Sequence, residues 1–355
     1  MQKQVKKLGI LGDGQLGRMS AMAARTLGIE TVIYGQDKNS PAGQVADDFV
    51  EGAFEDQKQL SVFCDKIDVC SYEFENIPVD TIRFIAERLD VWPDSTLLEA
   101  CQHRVTEKKF LNDAGIETAG FTAIPRVSDI PDLGLDTRLN DMILKTCRFG
   151  YDGKGQIFVG KGDDLMDKAK ALNSDDLILE ECVDFDCEIS VIVARDLKGN
   201  IVTYDPPLNE HRNHILHSST VPAPLDQSLL DQAQEMGRKL AEKVGLVGVL
   251  GLELFVTKDG RVLANEIAPR THNSGHWTMD ACKVSQFENH VRAVCGMDVL
   301  EPQRHSDVTM INLIGDDIND LAQYENKPNA HIHLYGKAEA RKGRKMGHVN
   351  IVKAK

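Results

Sequence analysis

What this sequence lacks narrows its class quickly. Among its eight cysteines (Cys64, Cys70, Cys101, Cys147, Cys182, Cys187, Cys282 and Cys295), no two stand in a C-x-x-C pair. Their scatter over 355 residues argues against a zinc framework and against a disulfide-stapled domain. Buried or half-buried free thiols are expected instead. Long apolar runs are missing too. The most hydrophobic stretch, Val244 to Leu252, meets Glu253 well short of the roughly 18 residues that cross a bilayer. The first apolar run covers only Leu8 to Leu11 before glycines begin, too short for a secretory leader, so a cytoplasmic location is expected. Basic charge is in deficit: 41 Lys and Arg face 55 Asp and Glu, a formal net charge of −14. Such a field repels phosphate backbones and excludes general nucleic-acid binding, yet leaves room for a small anion in a local basic cluster. No internal repeat or low-complexity tract interrupts the chain.

What is present reads as a globular chain long enough for two or three domains. The run KKLGIL at 6–11 predicts a buried strand, Gln15 to Leu27 a helix, and Thr31 to Tyr34 a second strand. This is a βα unit of a parallel sheet. A further strand, Ile67 to Tyr72, ends in the acidic Glu73-Phe74-Glu75, where ligands of open α/β sheets bind. A helix is expected over Leu97 to Ala114. A small α+β module follows, with strands at Met142–Cys147, 157–159 and Leu177–Glu181 and a helix over Asp163–Leu172. Beyond it come hairpin signals at Glu188–Tyr204 and Val247–Ile267, flanking a long helix over Gln227–Val244. Short strands are expected near Thr309–Ile314, His331–Tyr335 and Val349–Val352. Domain limits are placed at 1–100, 101–295 (with a lid at about 118–185) and 296–355.

Four features carry chemistry. Gly12-Asp13-Gly14-Gln15-Leu16-Gly17 is a G-x-G-x-x-G between strand and helix, with Asp37 placed where a dinucleotide site wants an acid. On its own it suggests an NAD-dependent dehydrogenase, or simply a tight turn. Second, Lys145 precedes the glycine-rich Phe149 to Gln156, whose backbone can fold closely over phosphates. The spacing is not that of a P-loop. Third, if Asp259-Gly260 forms a two-residue hairpin turn, Glu253 falls directly opposite Glu266. Facing carboxylates about 5 Å apart at their β-carbons repel, and a hard divalent cation such as Mg²⁺ turns that repulsion into attraction. The polar run Pro269 to His276 adjoins this pair. Fourth, Lys337, Arg341, Lys342, Arg344 and Lys345 form a basic loop with Glu339 as its sole acid, suited to a small anion.

Together these features resemble the ATP-grasp superfamily, and within it the N5-carboxyaminoimidazole ribonucleotide synthetases. The resemblance is carried by GILGDGQLGRM, SYEFENIP, GYDGKGQ, LEECV, HRNHILH, NEIAPRTHNSGHWT and YGKAEARKGRKMGH, and it covers nearly the whole chain. It implies an N-terminal Rossmann-like parallel-sheet domain, an ATP-grasp fold and a small β-rich C-terminal domain. It also implies an ATP-dependent ligase of purine biosynthesis that carboxylates aminoimidazole ribonucleotide with bicarbonate. ATP phosphates would be held by Arg104, Lys145 and the loop Gly150, Tyr151, Asp152, Gly153, Lys154, Gly155 and Gln156. Glu180, Glu181, Cys182 and Val183 would read the adenine and Glu188 the ribose. His211, Asn265 and Glu266 would complete the nucleotide site, and Glu253 and Glu266 would bind Mg²⁺, with two ions expected. Gln15, Leu16, Glu73, Asn273, Lys337, Arg344 and Lys345 would meet the ribonucleotide. Arg270 and His272 would hold the carboxyl group, and Asp152 would move the amine proton. A homodimer is implied. Asp13, Leu208 and Lys342 depart from the family pattern. The alternatives are another carboxylate–amine ligase or formyl-transferring purine enzyme of the superfamily, and a binding protein that kept the fold without the activity.

Overall fold

The computed structural model describes residues 5–135, 137, 140–150 and 153–354. The first segment comprises β1 (Lys7–Leu11), α1 (Gln15–Thr26), β2 (Glu30–Gly35), β3 (Asp48–Glu51), α2 (Gln57–Cys64), β4 (Val69–Tyr72) and α3 (Val79–Ala86). Its strands form a sheet in the order β3-β2-β1-β4, and every pairing is parallel. The strands are short and almost wholly apolar because helices cover both faces. One face packs Leu8, Ile10 and Ile33 against α1, and the other packs Leu11, Val32 and Tyr34 against α2 and α3.

The helix expected over 97–114 is broken in two, α4 (Ser95–Cys101) and α5 (Arg104–Asp113). The break lies at Gln102-His103. Gln102 turns its amide onto the carbonyls of Glu75 and Ile77, while His103 caps α5 by accepting from Thr106 N. Apolar spacing continues through the break, so periodicity alone does not reveal it.

A small antiparallel sheet follows, built from β5 (Phe121–Ile124), β6 (Met142–Thr146), β7 (Gln156–Val159) and β8 (Leu177–Glu181), with α6 (Leu165–Ala171) on one face. Its order is β5-β8-β6-β7. The third sheet has nine strands among the described residues. It starts with β9 (Phe185–Arg195), longer than predicted, then β10 (Ile201–Thr203), β11 (Leu208–Arg212) and β12 (Ile215–Val221). After α7 (Gln227–Lys243) come β13 (Gly248–Thr257) and β14 (Val262–Ala268). The helices α8 (Thr278–Ala281) and α9 (Gln286–Val294) precede β15 (Ser306–Ile314), α10 (Ala322–Glu325), β16 (Ala330–Leu334) and β17 (Lys345–Ala354). The strand order is β14-β13-β9-β11-β12-β15-β17-β16, with β10 beside β9. The amphipathic α7 buries Ala233, Leu240 and Ala241 against Val191, Val193 and Leu252, forming the largest core.

The hairpin β13–β14 departs from the predicted two-residue turn. Val256 pairs with Val262 and Leu254 with Ala264, so the loop holds one residue more. A bulge then inserts Asn265, and beyond it Glu253 pairs with Glu266. The extra loop residue and the bulge compensate, so the expected pairing stands although the turn does not.

Candidate functional site

A cavity of about 510 Å³ opens between the small sheet and the β9–β14 end of the large sheet. The bulge in β14 shapes its floor. In a regular strand, neighbouring side chains point to opposite faces, and a bulge re-aims one of them. Asn265 and Glu266 are consecutive, and both line the cavity beside Glu253.

Each carboxylate has a nitrogen partner. Arg104 Nη1 donates to Glu266 Oε2 at 3.2 Å, and His272 Nε2 lies 3.1 Å from Glu253 Oε1. Burial opposes the Glu253 charge, but His272, His211 and Lys345 together hold its carboxyl well below the usual range. Two facing carboxylates with an amide between them are hard oxygen donors that suit a divalent cation such as Mg²⁺. Arg104 and His272 engage these carboxylates here.

Opposite this floor, β6 carries Lys145. Its Nζ donates to Glu180 Oε2 on β8 at 2.9 Å, and the buried Lys108 of α5 reaches the same oxygen at 3.3 Å. Desolvation pulls the Lys145 ammonium down, with Glu180 opposing. Burial raises the Glu180 carboxyl, but its two lysines outweigh that and bring it below its usual value. The strands β6 and β7 pair up to Lys145 and Gln156, so the glycine-rich segment joins them beside the cavity. Gly153, at φ +77°, lies so close to His214 that a Cβ there would stand 2.5 Å from the ring. Gly150, Gly153, Lys154 and Gln156 line the cavity, whereas Tyr151 and Asp152 lie outside the described residues.

The remaining nucleotide-site candidates gather in the same cavity, Glu180 to Val183, Glu188, His211 and Asn265, together with Arg270 and His272, expected to hold the carboxyl group, and Asn273 and Lys345, expected to meet the ribonucleotide. His211 Nδ1 lies 2.7 Å from Glu188 Oε2, and that pairing raises the imidazole despite its burial. Asn273 and Asn312 exchange amide hydrogen bonds at 3.0 and 2.7 Å. Gly155 falls outside the lining, with Thr146 beside it.

Several lining groups escape sequence reasoning. Phe185 and Phe255 stack with centroids 4.7 Å apart and form an apolar wall. Arg270 and Glu75, both site candidates from the sequence, form a short ion pair at the end of the parallel sheet that the sequence does not foretell. Glu107 accepts from Ile267 N, and burial together with Glu266 pushes its carboxyl up to about 8. From His272 Nδ1 a chain of hydrogen bonds runs through Ser274, Ser190 and Asn209 to Ser219, at 2.8, 2.6, 3.0 and 2.7 Å. These partners stand on separate elements, and only the paired strands bring them together. The acidic end after Tyr72 was the one available signal, for Glu75.

The N-terminal glycine turn does not serve a dinucleotide. Half-buried Glu73 accepts from Gly14 N and, at 2.8 Å, from Gly17 N, so a carboxylate fills the place a pyrophosphate would take. Burial pushes that carboxyl up while the two amides pull it down. Asp13 accepts from Gln36 N and Asp37 N, which ties down the loop after β2. The dehydrogenase reading therefore fails. Leu16 is packed against Tyr335 and Phe287, so its side chain faces the core. The basic loop docks nearby: Gln44 donates to Gly336 O at 2.8 Å, and the Lys337 charge interacts with Glu73. Lys337 donates to Lys345 O and Arg344 to Glu339 O, so the loop is braced from within. Gln15, Leu16, Glu73, Lys337 and Arg344 stand outside the cavity lining.

Nucleotide-sized space between two antiparallel sheets, a glycine loop above and paired acids below define an ATP-grasp enzyme. The ATP-grasp domain model matches residues 109–287, the ribonucleotide synthetase preATP-grasp domain 5–102, and the phosphoribosylaminoimidazole carboxylase C-terminal domain 308–355. The N5-carboxyaminoimidazole ribonucleotide synthase of Brucella melitensis is 47% identical over 98% of this chain and 96% of that protein. That of Bacillus subtilis is 40% identical over 98% and 91%. The ADP complex of an N5-carboxyaminoimidazole ribonucleotide synthetase superposes with TM-score 0.94 at 38% identity, covering 99% of this chain and 94% of that one. An Aspergillus clavatus N5-carboxyaminoimidazole synthase, in complex with ADP and aminoimidazole ribonucleotide, superposes with TM-score 0.91 at 29% identity, over 99% and 94%. The chain belongs to the N5-carboxyaminoimidazole ribonucleotide synthetase family, and it is an ATP-dependent ligase.

Proposed function

We propose that the cavity houses the ATP-dependent carboxylation of 5-aminoimidazole ribonucleotide by bicarbonate, giving N5-carboxyaminoimidazole ribonucleotide, ADP and phosphate in de novo purine biosynthesis. The observation that carries this reading is the facing pair Glu253 and Glu266, set by a bulge beneath Lys145 and Arg104. Arg104, Lys145 and the amides of 150–156 hold the ATP phosphates. Glu180 to Val183 read the adenine against the Phe185–Phe255 wall, and Glu188 with His211 takes the ribose. Glu253 and Glu266, with Asn265 beside them, hold two Mg²⁺ ions, which neutralise phosphate charge when bound.

Bicarbonate is a poor electrophile, so one of its oxygens first attacks the γ-phosphorus and ADP leaves. The amine of the ribonucleotide then attacks the carboxyl carbon of carboxyphosphate, phosphate leaves, and the amine loses a proton. Lys145 and the loop amides meet the charge of the transferring phosphoryl group. Arg270 and His272 hold the carboxyl group, and Asp152 takes the amine proton. Carboxyphosphate hydrolyses readily, which gives the glycine loop reason to exclude water. Lys337, Arg344 and Lys345 take the ribonucleotide phosphate, with Gln15, Leu16, Glu73 and Asn273 along its path. On this reading residues 1–100 receive the ribonucleotide, 101–295 the nucleotide beneath a lid at about 118–185, and 296–355 the phosphate. The chain works in the cytoplasm as a homodimer. The test is ADP release with ATP, Mg²⁺ and bicarbonate. Release that rises on adding aminoimidazole ribonucleotide, with carboxylated product, supports the reading, and release indifferent to it overturns it.

A further inference from the structure

Three side chains that the reaction does not use meet at the margin of the cavity. His103 caps α5, Cys147 follows β6 and Asp176 precedes β8. They lie far apart in the chain, so no short cysteine spacing marks them. One ligand atom from each falls within 4.8 Å of the others. His103 Nε2 is 2.9 Å from Asp176 Oδ2. The backbone fixes the group: Arg104 N donates to Cys147 O and Cys147 N to Asp176 O, both at 3.0 Å. Cys147 is buried, while the Asp176 side chain is 48% exposed.

We propose that His103, Cys147 and Asp176 form a binding site for a thiophilic divalent cation, Zn²⁺, which ties the α4–α5 turn to the small sheet. Sulfur, imidazole and carboxylate together are the donor set of zinc, whereas magnesium and calcium take oxygen alone. A thiolate, a carboxylate and a neutral imidazole cancel a double positive charge, which suits a half-buried position. Tetrahedral zinc, with bonds of about 2.0–2.3 Å, holds its ligand atoms about 3.3–3.7 Å apart, so side-chain movements of about 1 Å complete the site. Three protein ligands leave a fourth position for water, on the side where Asp176 is exposed.

The proton balance is simple. Without metal, burial and the bond to Asp176 push the Cys147 thiol up to about 12, so it is protonated. Binding forms the zinc–sulfur bond and releases that proton to solvent. On His103 the ring proton passes from Nε2 to Nδ1, which gives up the cap bond it accepts from Thr106 N and donates instead to Thr106 Oγ1, 3.4 Å away.

The experiment titrates the full chain with Zn²⁺ against a chromophoric chelator, with excess Mg²⁺ present to occupy hard oxygen sites. One equivalent should bind with micromolar or tighter Kd, and Co²⁺ in its place should show a thiolate-to-metal charge-transfer band. Cys147→Ser should abolish the band and weaken binding about tenfold or more. Asp176→Asn, at a half-exposed position that folding tolerates, should weaken binding similarly but keep the band. Failure of the wild-type chain to bind Zn²⁺, a Co²⁺ complex without the band, or undiminished binding in both variants would overturn the proposal.

Discussion

Lys337 shows how much one side chain can reveal. Desolvation, reinforced by the charge of Arg344, pulls its ammonium down to about 8. The charge is therefore present below that pH and lost as pH rises through it. If Lys337 holds the ribonucleotide phosphate, the KM for aminoimidazole ribonucleotide should climb above pH 8 while the KM for ATP stays level. Lys337→Arg should flatten that rise, because a guanidinium stays charged. Arg344→Ala should raise the same KM about ten- to a hundredfold, from the roughly 1.5–3 kcal/mol of a charge-assisted bond. Steady-state kinetics across pH 6.5–9.5 (about one unit or more either side of 8) decide it, and a shift in the ATP constant would assign the loop elsewhere. A second expectation concerns the paired acids. If they hold Mg²⁺ as proposed, Glu253→Gln and Glu266→Gln should each lower turnover about a hundredfold or more, since a metal ligand contributes several kcal/mol. The isosteric amides can still accept from His272 and Arg104, so the unfolding temperature should move little. Calorimetry beside rate measurements separates the two effects. The glutamates are readable in the sequence because a hairpin obeys a register. Their pairing with Arg104 and His272 is not, since those two side chains arrive from other elements.

At the scale of elements, the pairing of Glu253 with Glu266 was legible for an instructive reason. A turn one residue longer than expected and a bulge at Asn265 shift the register in opposite directions. The bulge has no local signature, yet it is what turns both Asn265 and Glu266 toward the cavity. The helix expected over 97–114 fails similarly, because its break depends on Gln102 bonding to carbonyls 25 and 27 residues upstream. The strands of the parallel sheet, by contrast, show in the sequence as continuous apolar runs, because both faces are buried. A close approach on β13 yields a third expectation. A Cβ on Gly251 would stand 2.7 Å from the Cβ of His272. Gly251→Ala should push His272 from Glu253, reducing kcat about ten- to a hundredfold and costing about 1–3 kcal/mol of stability. Unchanged kcat would mean that the His272 position is immaterial to turnover.

At the scale of the whole molecule, the large sheet runs without interruption from the strands of the paired acids to the C-terminal ones. β12 pairs with β15 from Ser218–Ile311 to Val221–Val308, and β15 in turn pairs with β17. Val308 and Met310 share a core with Val221 and Trp277. The C-terminal strands are thus part of the wall behind the nucleotide pocket. A chain stopped near residue 300 should therefore fail as a smaller ATPase. It should scatter light and sediment as aggregates, and a peptide spanning Ser306–Ala354 added during refolding should suppress this. A compact, monodisperse truncated protein would count against the dependence. The reason is the row of backbone donors and acceptors on β12, which becomes an open template for any passing strand. The same exposure arises during synthesis. Until β15 and β17 leave the ribosome, the nascent sheet carries an uncovered edge, and the segment that seals it is made after the whole nucleotide site. For as long as that seal is missing, the growing chain is open to edge-to-edge pairing with its neighbours.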